Sequence, residues 1–95
     1  MGKLEGVVES IDNQGNLVTS ITAGQLSQVP RGEETLIVCD EHETHGIFSD
    51  DHEQPAMTLI GLLGASGKLE LSIVGDSAAI MLGVRAGTPV VVSWS

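Results

Sequence analysis

Two polar side chains bracket a short turn near the start of the chain. Asp12 and Asn16 flank the segment Asn13-Gln14-Gly15, whose residue types favour a tight hairpin turn. From this position a carboxylate could accept a hydrogen bond from an amine, and an amide could pair with the edge of a base. The same spacing also suits an Asx turn, in which the side chains bond their own backbone. Both interpretations stay open at the level of sequence.

A second group of residues combines imidazoles with carboxylates. Three histidines lie among six acidic residues: His42, His45 and His52, with Asp40, Glu41, Glu43, Asp50, Asp51 and Glu53. If this segment folded back on itself, the imidazoles could hold zinc or nickel. The order His-Glu-Thr-His lacks the i, i+4 spacing of a zinc-protease helix, and Gly46 disfavours a helix there. We therefore expect a solvated acidic loop, keep the three histidines as secondary metal candidates, and expect no cofactor.

Three other motifs do not support catalysis. The stretch from Gly61 to Lys68 resembles a phosphate-binding loop, but its glycine spacing is wrong and a strand pattern follows it, so we predict a tight turn. Ser49, Asp50 and His52 lie too close in sequence for their convergence as a triad to be assumed. Cys39 sits in the apolar run TLIVCD and is expected to be a core residue. We assign no catalytic residue.

Short apolar, β-branched runs separated by turn residues predict a mostly β fold, a small barrel of about seven strands with one or two short helices. The predicted strands are 4–11, 16–21, 35–39, 45–49, 57–63, 68–74 and 90–94. Thr22 is expected to cap a helical turn that runs to Val29. Asp76 is expected to cap a helix over 77–82 that Gly83 closes.

Composition narrows the range of partners. The chain has 95 residues and a formal net charge of −9, so we expect a single domain over 1–95 that is repelled by nucleic-acid phosphates and anionic lipids. No apolar run reaches the length of a membrane span, and the start lacks a signal-peptide pattern. We therefore expect a cytoplasmic protein that binds neither nucleic acid nor membrane.

Two longer stretches carry a family resemblance. Residues 6–21, GVVESIDNQGNLVTSI, resemble the G-x-V-x-x-I-D-x-F-G-N-x-x-T-N-I signature of the C-terminal domain of the S-adenosylmethionine hydroxide adenosyltransferases. Residues 64–73, GASGKLELSI, are similar to the G-S-x-G-x-L-E-I-A-V of that family, and 77–90 resemble its ending. The resemblance extends over nearly the whole chain.

The resemblance implies a small β barrel that packs in trimers, with each active site between one barrel and the N-terminal domain of a neighbouring subunit. Those enzymes split S-adenosylmethionine with hydroxide. The family residue that matches Asp12 faces the amino group of methionine, and the one that matches Asn16 faces adenine. Gln14 stands where the family has an aromatic residue, Ala65 replaces a methionine-binding serine, and Val74-Gly75-Asp76 replaces an Asn-rich stretch beside adenine.

These implications define the expected function. We expect a barrel without catalysis of its own that binds an adenine nucleoside or S-adenosylmethionine at a subunit interface. The expected ligand wall consists of Asp12, Gln14, Asn16, Ala65, Ser66, Val74 and Gly75. The alternatives are a pure oligomerisation module, one subunit of a split S-adenosylmethionine-hydrolysing enzyme, and a molybdate-type barrel with Lys68 and Arg85 near an oxyanion. A homo-oligomer is expected, with a trimer favoured by the resemblance.

Overall fold

The computed structural model describes residues 2–95 and shows eight strands wound into a nearly closed barrel. The strands are β1 (Gly2–Ile11), β2 (Leu17–Thr22), β3 (Thr35–Cys39), β4 (His42–His45), β5 (Ile47–Phe48), β6 (Leu59–Leu63), β7 (Lys68–Ile73) and β8 (Pro89–Trp94). A 3-10 turn (Gln25–Gln28) follows β2, and one short helix, α1 (Ala78–Leu82), lies between β7 and β8. The predicted fold class is confirmed.

The strand order around the barrel is β4-β3-β8-β1-β2-β7-β6-β5. All neighbouring pairs are antiparallel except β5 and β6, which run parallel. The first part of β1 pairs with β8 and its last part with β2, and an irregularity between Val8 and Ser10 lets one long strand serve both partners. The hydroxyl of Thr44 in β4 donates to the carbonyl of Leu59 in β6 at 2.8 Å, and this contact bridges the remaining seam.

The core forms from the inward-facing side chains of alternate strand positions. In β3, for example, Thr35, Ile37 and Cys39 are buried while the residues between them are partly exposed. The apolar side chains buried together are Val8, Leu17, Ile21, Leu26, Val29, Ile37, Cys39, Ile47, Leu69, Leu71, Ile73, Ala78, Val84, Val90 and Val92. Cys39 is therefore a core residue, as predicted.

Some local predictions are wrong. The strand predicted over 45–49 is divided at Gly46, which has a φ of 84°, so that His45 ends β4 and Ile47–Phe48 forms β5. Residues His42–His45 form strand β4 rather than part of a solvated loop, because a two-residue turn lets them pair with β3 from Leu36↔His45 to Cys39↔His42. Asp40 in that turn adopts a φ of 57°, which aspartate tolerates better than most residues. The N-cap of α1 is Ser77, whose hydroxyl accepts from the backbone N–H of Ile80, and not Asp76.

The prediction for Thr22 is wrong in its position: the N-cap of the 3-10 turn is Gly24, with no side-chain cap hydrogen bond, although the Thr22 hydroxyl accepts from the N–H of Gln25. The predicted β6–β7 turn is present. The N–H of Gly67 donates to the carbonyl of Gly64 in a tight β6–β7 turn. Neither helical element in residues 2–95 is long and apolar enough to cross a bilayer.

Candidate functional site

The turn between β1 and β2 is organised by the carboxylate of Asp12. Its Oδ1 accepts from the backbone N–H groups of Gln14 and Asn16, both at 2.9 Å, and its Oδ2 accepts from Nδ2 of Asn16 at 3.1 Å. The backbone N–H of Gly15 also donates to the Asp12 carbonyl at 3.0 Å. The local Asx-turn interpretation is therefore the one that the structure shows.

These contacts hold Asp12 in its ionised form. Burial raises the pKa of the Asp12 carboxyl and is the largest single influence on it. The hydrogen bonds from Asn16, Gln14 and Gly15 together outweigh burial, so the pKa lies below its usual value. Asp12 is thus a fixed negative charge that positions its neighbours.

The hydrogen bonds of Asp12 hold the side chain of Asn16 in one orientation. It is only 6% exposed, and its Nδ2 is directed toward Asp12 and, at 3.5 Å, toward Oε1 of Gln14. Among residues 2–95 its Oδ1 accepts no hydrogen bond, yet no polar side-chain atom in this range is both buried and unpaired. The Oδ1 atom must therefore reach solvent, as a single oriented acceptor.

The segment that leads into helix α1 packs against the β1–β2 turn. The N–H of Ala79 donates to the carbonyl of Gly15 at 2.9 Å, which fixes the first turn of the helix against the β1–β2 turn. Gly15 has a φ of +83°, and a Cβ atom there would lie 2.0 Å from Oγ of Ser77. Only glycine fits both the backbone conformation and the close approach.

Between these elements lies a cleft of about 490 Å³, which we call the Asn16 cleft. It is lined by Gln14, Asn16, Ser72, Ile73, Gly75, Asp76 and Ser77. Its volume falls within the range of small-molecule sites, and its polar groups come from the β1–β2 turn, from strand β7 and from the residues just before α1. Strand pairing explains part of the lining, because Leu17↔Leu71 places Ser72 and Ile73 of β7 beside Asn16.

The predicted ligand-wall residues divide between two ends of the barrel. Gln14, Asn16 and Gly75 line the Asn16 cleft, whereas the backbone of Val74 pairs with Met57 and Thr58. Ala65 and Ser66 lie in the β6–β7 turn, which bonds the chain just after β2 through Ala23 N–H to the Gly67 carbonyl. The six residues of β2 separate the two groups by about 20 Å, at roughly 3.3 Å per residue.

Sequence reasoning did not include Ser72, Ile73, Asp76 and Ser77 in the ligand wall. For Ser72 the missing signal was strand register, which cannot be read from a single strand. Ser77 could have been found as a serine three residues before Ile80, the spacing of an N-cap.

Ser66, which was predicted to line the site, has a different partner: its hydroxyl donates to Oε2 of the buried Glu70 at 2.6 Å.

The histidine-rich segment is not gathered into a metal centre. His42 and His45 occupy positions of opposite parity in β4, so they point to different faces, and a ring nitrogen of His42 lies 3.2 Å from the Leu82 carbonyl. Nδ1 of His52 accepts from the N–H of Gln54. Within the described range no three His, Cys, Asp or Glu side chains are placed to hold a metal ion. The Ser49 hydroxyl donates to Asp51, so it is not directed at His52.

Fold and cleft together define a class of protein: a small, nearly closed antiparallel barrel with a polar cleft between a hairpin turn and a short helix. The model of one family, the SAM hydroxide adenosyltransferase C-terminal domain, matches residues 6–91. The chain belongs to this family, and the resemblance noted in the sequence is confirmed.

Solved structures share the fold. An uncharacterised conserved protein from Thermotoga maritima superposes with a TM-score of 0.75 at 18% identity, and a conserved hypothetical protein from Thermus thermophilus with 0.71 at 26% identity. Each alignment covers 94% of this chain but only 35% and 34%, respectively, of the other. This chain thus corresponds to about a third of those proteins. No functionally curated protein matches it significantly.

Proposed function

We propose that this barrel is a binding module that holds an adenine nucleoside or S-adenosylmethionine in the Asn16 cleft, at a boundary between subunits, and has no catalysis of its own. The observation that carries the proposal is the orientation of Asn16. Its amide N–H group is engaged by Asp12, its carbonyl oxygen accepts no hydrogen bond within residues 2–95, and Asn16 lines the cleft. An exocyclic amino group of a base is a donor of the kind that this acceptor would recognise.

The charge of the surroundings favours the same ligand class. Asp76 lines the cleft and ionised Asp12 lies directly behind Asn16, in a chain with a net charge of −9. Such a field disfavours phosphate-bearing nucleotides and favours neutral nucleosides or cationic sulfonium compounds. The oxyanion-binding alternative is less consistent with this field, and Lys68 is already paired with Glu9 at 2.6 Å.

Gln14 limits the affinity. The family resemblance implies an aromatic ring at this position, where a base could stack. An amide side chain cannot replace that contact, which in nucleic-acid sites is worth about 1–3 kcal/mol per base. We therefore propose weak binding, with the interface contributing the remaining contacts.

The test is calorimetric titration of the purified chain with adenosine and with S-adenosylmethionine. Asn16→Ala should weaken binding about tenfold, because one oriented hydrogen bond is lost. Asn13→Ala is the matched control: Asn13 belongs to the same turn but is exposed and lies outside the cleft. Absence of heat at millimolar ligand, or equal affinity of the two variants, would contradict the proposal.

A separate assay tests the proposal that the chain alone does not catalyse cleavage of S-adenosylmethionine. The purified chain, incubated with S-adenosylmethionine, should release neither adenosine nor methionine above the uncatalysed rate. If release appears and disappears again in Asn16→Ala, the barrel alone is an enzyme and the proposal is wrong. If release appears only after a second chain is added, the protein is one subunit of a split enzyme.

Exposed apolar side chains favour assembly as a second function. Ile80 and Met81 of α1 are 81% and 51% exposed, and Ile11 at the end of β1 is 44% exposed. Ile11 directly precedes the turn that positions Asn16, and Ile80 and Met81 follow Ala79, whose N–H donates to the Gly15 carbonyl. We propose that a second copy of this chain packs on this apolar surface and encloses the cleft. We propose a homo-oligomer, with a trimer favoured by the family resemblance.

Light scattering checks this assembly. Ile80→Asp should shift the protein toward the monomer, whereas Ser27→Asp adds the same charge at an exposed position in the 3-10 turn and should leave assembly unchanged. A wild-type monomer at high concentration would rule out the oligomer.

A further inference from the structure

A second cleft opens at the seam of the barrel. Strand β5 has only two residues, which pair with Gly61 and Leu62, so it leaves the start of β6 uncovered. Between that start and the end of β4 lies a cavity of about 390 Å³. We call it the seam cleft, and it shares no lining residue with the Asn16 cleft.

Arg31 gives the seam cleft a cation in a strongly acidic chain. Its backbone is held by a 2.9 Å hydrogen bond from the Ile47 N–H to its carbonyl, and its guanidinium makes a single long contact, 3.5 Å, to the Leu26 carbonyl. Lys3 and Lys68 are paired with carboxylates, but over residues 2–95 neither Arg31 nor Arg85 has such a partner. Of these two arginines, only Arg31 lines this cavity.

A carboxylate lies in the same lining. Glu33 follows Arg31 by two residues and also faces the cavity, yet the two side chains form no salt bridge in the described range. Opposite charges that border one cavity without pairing can each bind a group of a ligand. A simple anion would be attracted by Arg31 but repelled by Glu33, and a simple cation would be attracted by Glu33 but repelled by Arg31.

The remaining lining is mixed, with the apolar Phe48, Leu59 and Ile60 beside the polar Thr44, His45, Gln54 and Thr58. The ring of Phe48 packs edge-on against His52, with centroids 6.4 Å apart. The three apolar residues give this cavity a surface that would match an apolar group on a ligand that also carries both charges.

We propose that the seam cleft binds a small zwitterion with an apolar side chain, an α-amino acid of the phenylalanine or leucine type. Its carboxylate is held by Arg31, its ammonium group by Glu33, and its side chain lies against Phe48 and Leu59. Arginine suits the carboxylate because its planar guanidinium can donate two parallel hydrogen bonds.

Amide chemical-shift titration with L-phenylalanine, benzoate and phenethylamine tests this assignment. Phenylalanine should give saturating shifts at His45 and Gly46, which line the cleft, and should bind at least about tenfold more tightly than either single-charge probe. Absence of shifts at millimolar phenylalanine, or equal binding of benzoate or phenethylamine, would overturn the proposal.

Variants then identify the two charges. Arg31→Gln and Glu33→Gln should each weaken phenylalanine binding about tenfold. Arg85→Gln and Glu34→Gln make the same chemical changes at exposed residues outside the lining and should have no effect. All four positions are exposed, so thermal unfolding should show folded proteins. An equal loss in the control variants would overturn the assignment.

Discussion

Replacement of Gly15 by alanine tests whether the β1–β2 turn and helix α1 depend on each other. The residue has a φ of +83°, so the added methyl group costs about 1–2 kcal/mol through the left-handed backbone alone. The new Cβ would also lie 2.0 Å from Oγ, 2.6 Å from Cβ and 2.9 Å from Cα of Ser77. Because the backbone of Ser77 is one of these neighbours, a rotamer change cannot relieve the overlap.

The total cost follows from these two effects. Overpacking of this kind costs about 1–3 kcal/mol, so Gly15→Ala should lower the free energy of unfolding by about 2–5 kcal/mol. The corresponding fall in Tm is at least about 8 °C for a domain of this size. Gly67→Ala is the matched control: it has a φ of +74° but nothing within 4 Å of the new Cβ.

Urea and thermal unfolding can be followed by the fluorescence of Trp94, the single tryptophan of the chain, which packs against Gly2. Gly67→Ala should show only the cost of the left-handed conformation. An equal loss of stability in Gly15→Ala and Gly67→Ala would show that the close approach of Ser77 to the turn does not contribute to stability.

Three further perturbations follow from buried or fixed polar groups. Thr19→Val should lower the free energy of unfolding, measured in urea, by about 1–3 kcal/mol, because the buried Thr19 hydroxyl donates to the Leu69 carbonyl at 2.7 Å. An unchanged free energy of unfolding would contradict this. Burial and the charge of Asp40 raise the pKa of the Cys39 thiol, so Ellman's reagent should react with it much more slowly in the folded protein than in urea. Asp12→Asn should destabilise the protein at neutral pH but not in strong acid. The pKa of the Asp12 carboxyl in the folded protein lies below its ordinary value of 3.8. The stabilisation by the Asp12 charge is therefore complete above pH 3.8 and is lost as the pH falls through the folded-state pKa. A destabilisation independent of pH would contradict the role of the Asp12 charge.

Most of the barrel could be predicted because its strands are bounded by residues with few structural options. Strand β3 was predicted with its observed limits, and the β6–β7 hairpin is closed by Gly64 and Gly67 as expected. In these segments apolar periodicity, turn chemistry and β propensity all favour the same structure. Where these local signals agree, contacts with the rest of the barrel do not alter the limits of a strand or the position of a turn.

Strand β4 was missed because its residues carry no intrinsic strand signal. The sequence His-Glu-Thr-His is polar throughout, and only pairing with β3 makes it a strand. Its half-buried positions, His42 and Thr44, are stabilised by distant partners, the Leu82 and Leu59 carbonyls. Contacts of this kind depend on the closed barrel and cannot be read from a local window.

The candidate site was predicted in part for the same reason. Asp12 and Asn16 are close in sequence, so their turn chemistry is local and readable. Whether Ser66 joins them depends on the length of β2, which places the β6–β7 turn at the other end of the barrel. Ligand walls assembled from separate strands need register as well as residue type.

The chemistry of these groups explains why binding rather than turnover is the proposed role. Asp12 has a lowered pKa and both of its oxygens accept hydrogen bonds, so it is a poor proton acceptor. Asn16 does not titrate, and the Ser77 hydroxyl is engaged with the backbone of Ile80. Burial keeps the Cys39 thiol protonated. Asp12, Asn16 and Ser77 are thus engaged in contacts that suit the orientation of a ligand, which is why we propose a binding role for the Asn16 cleft.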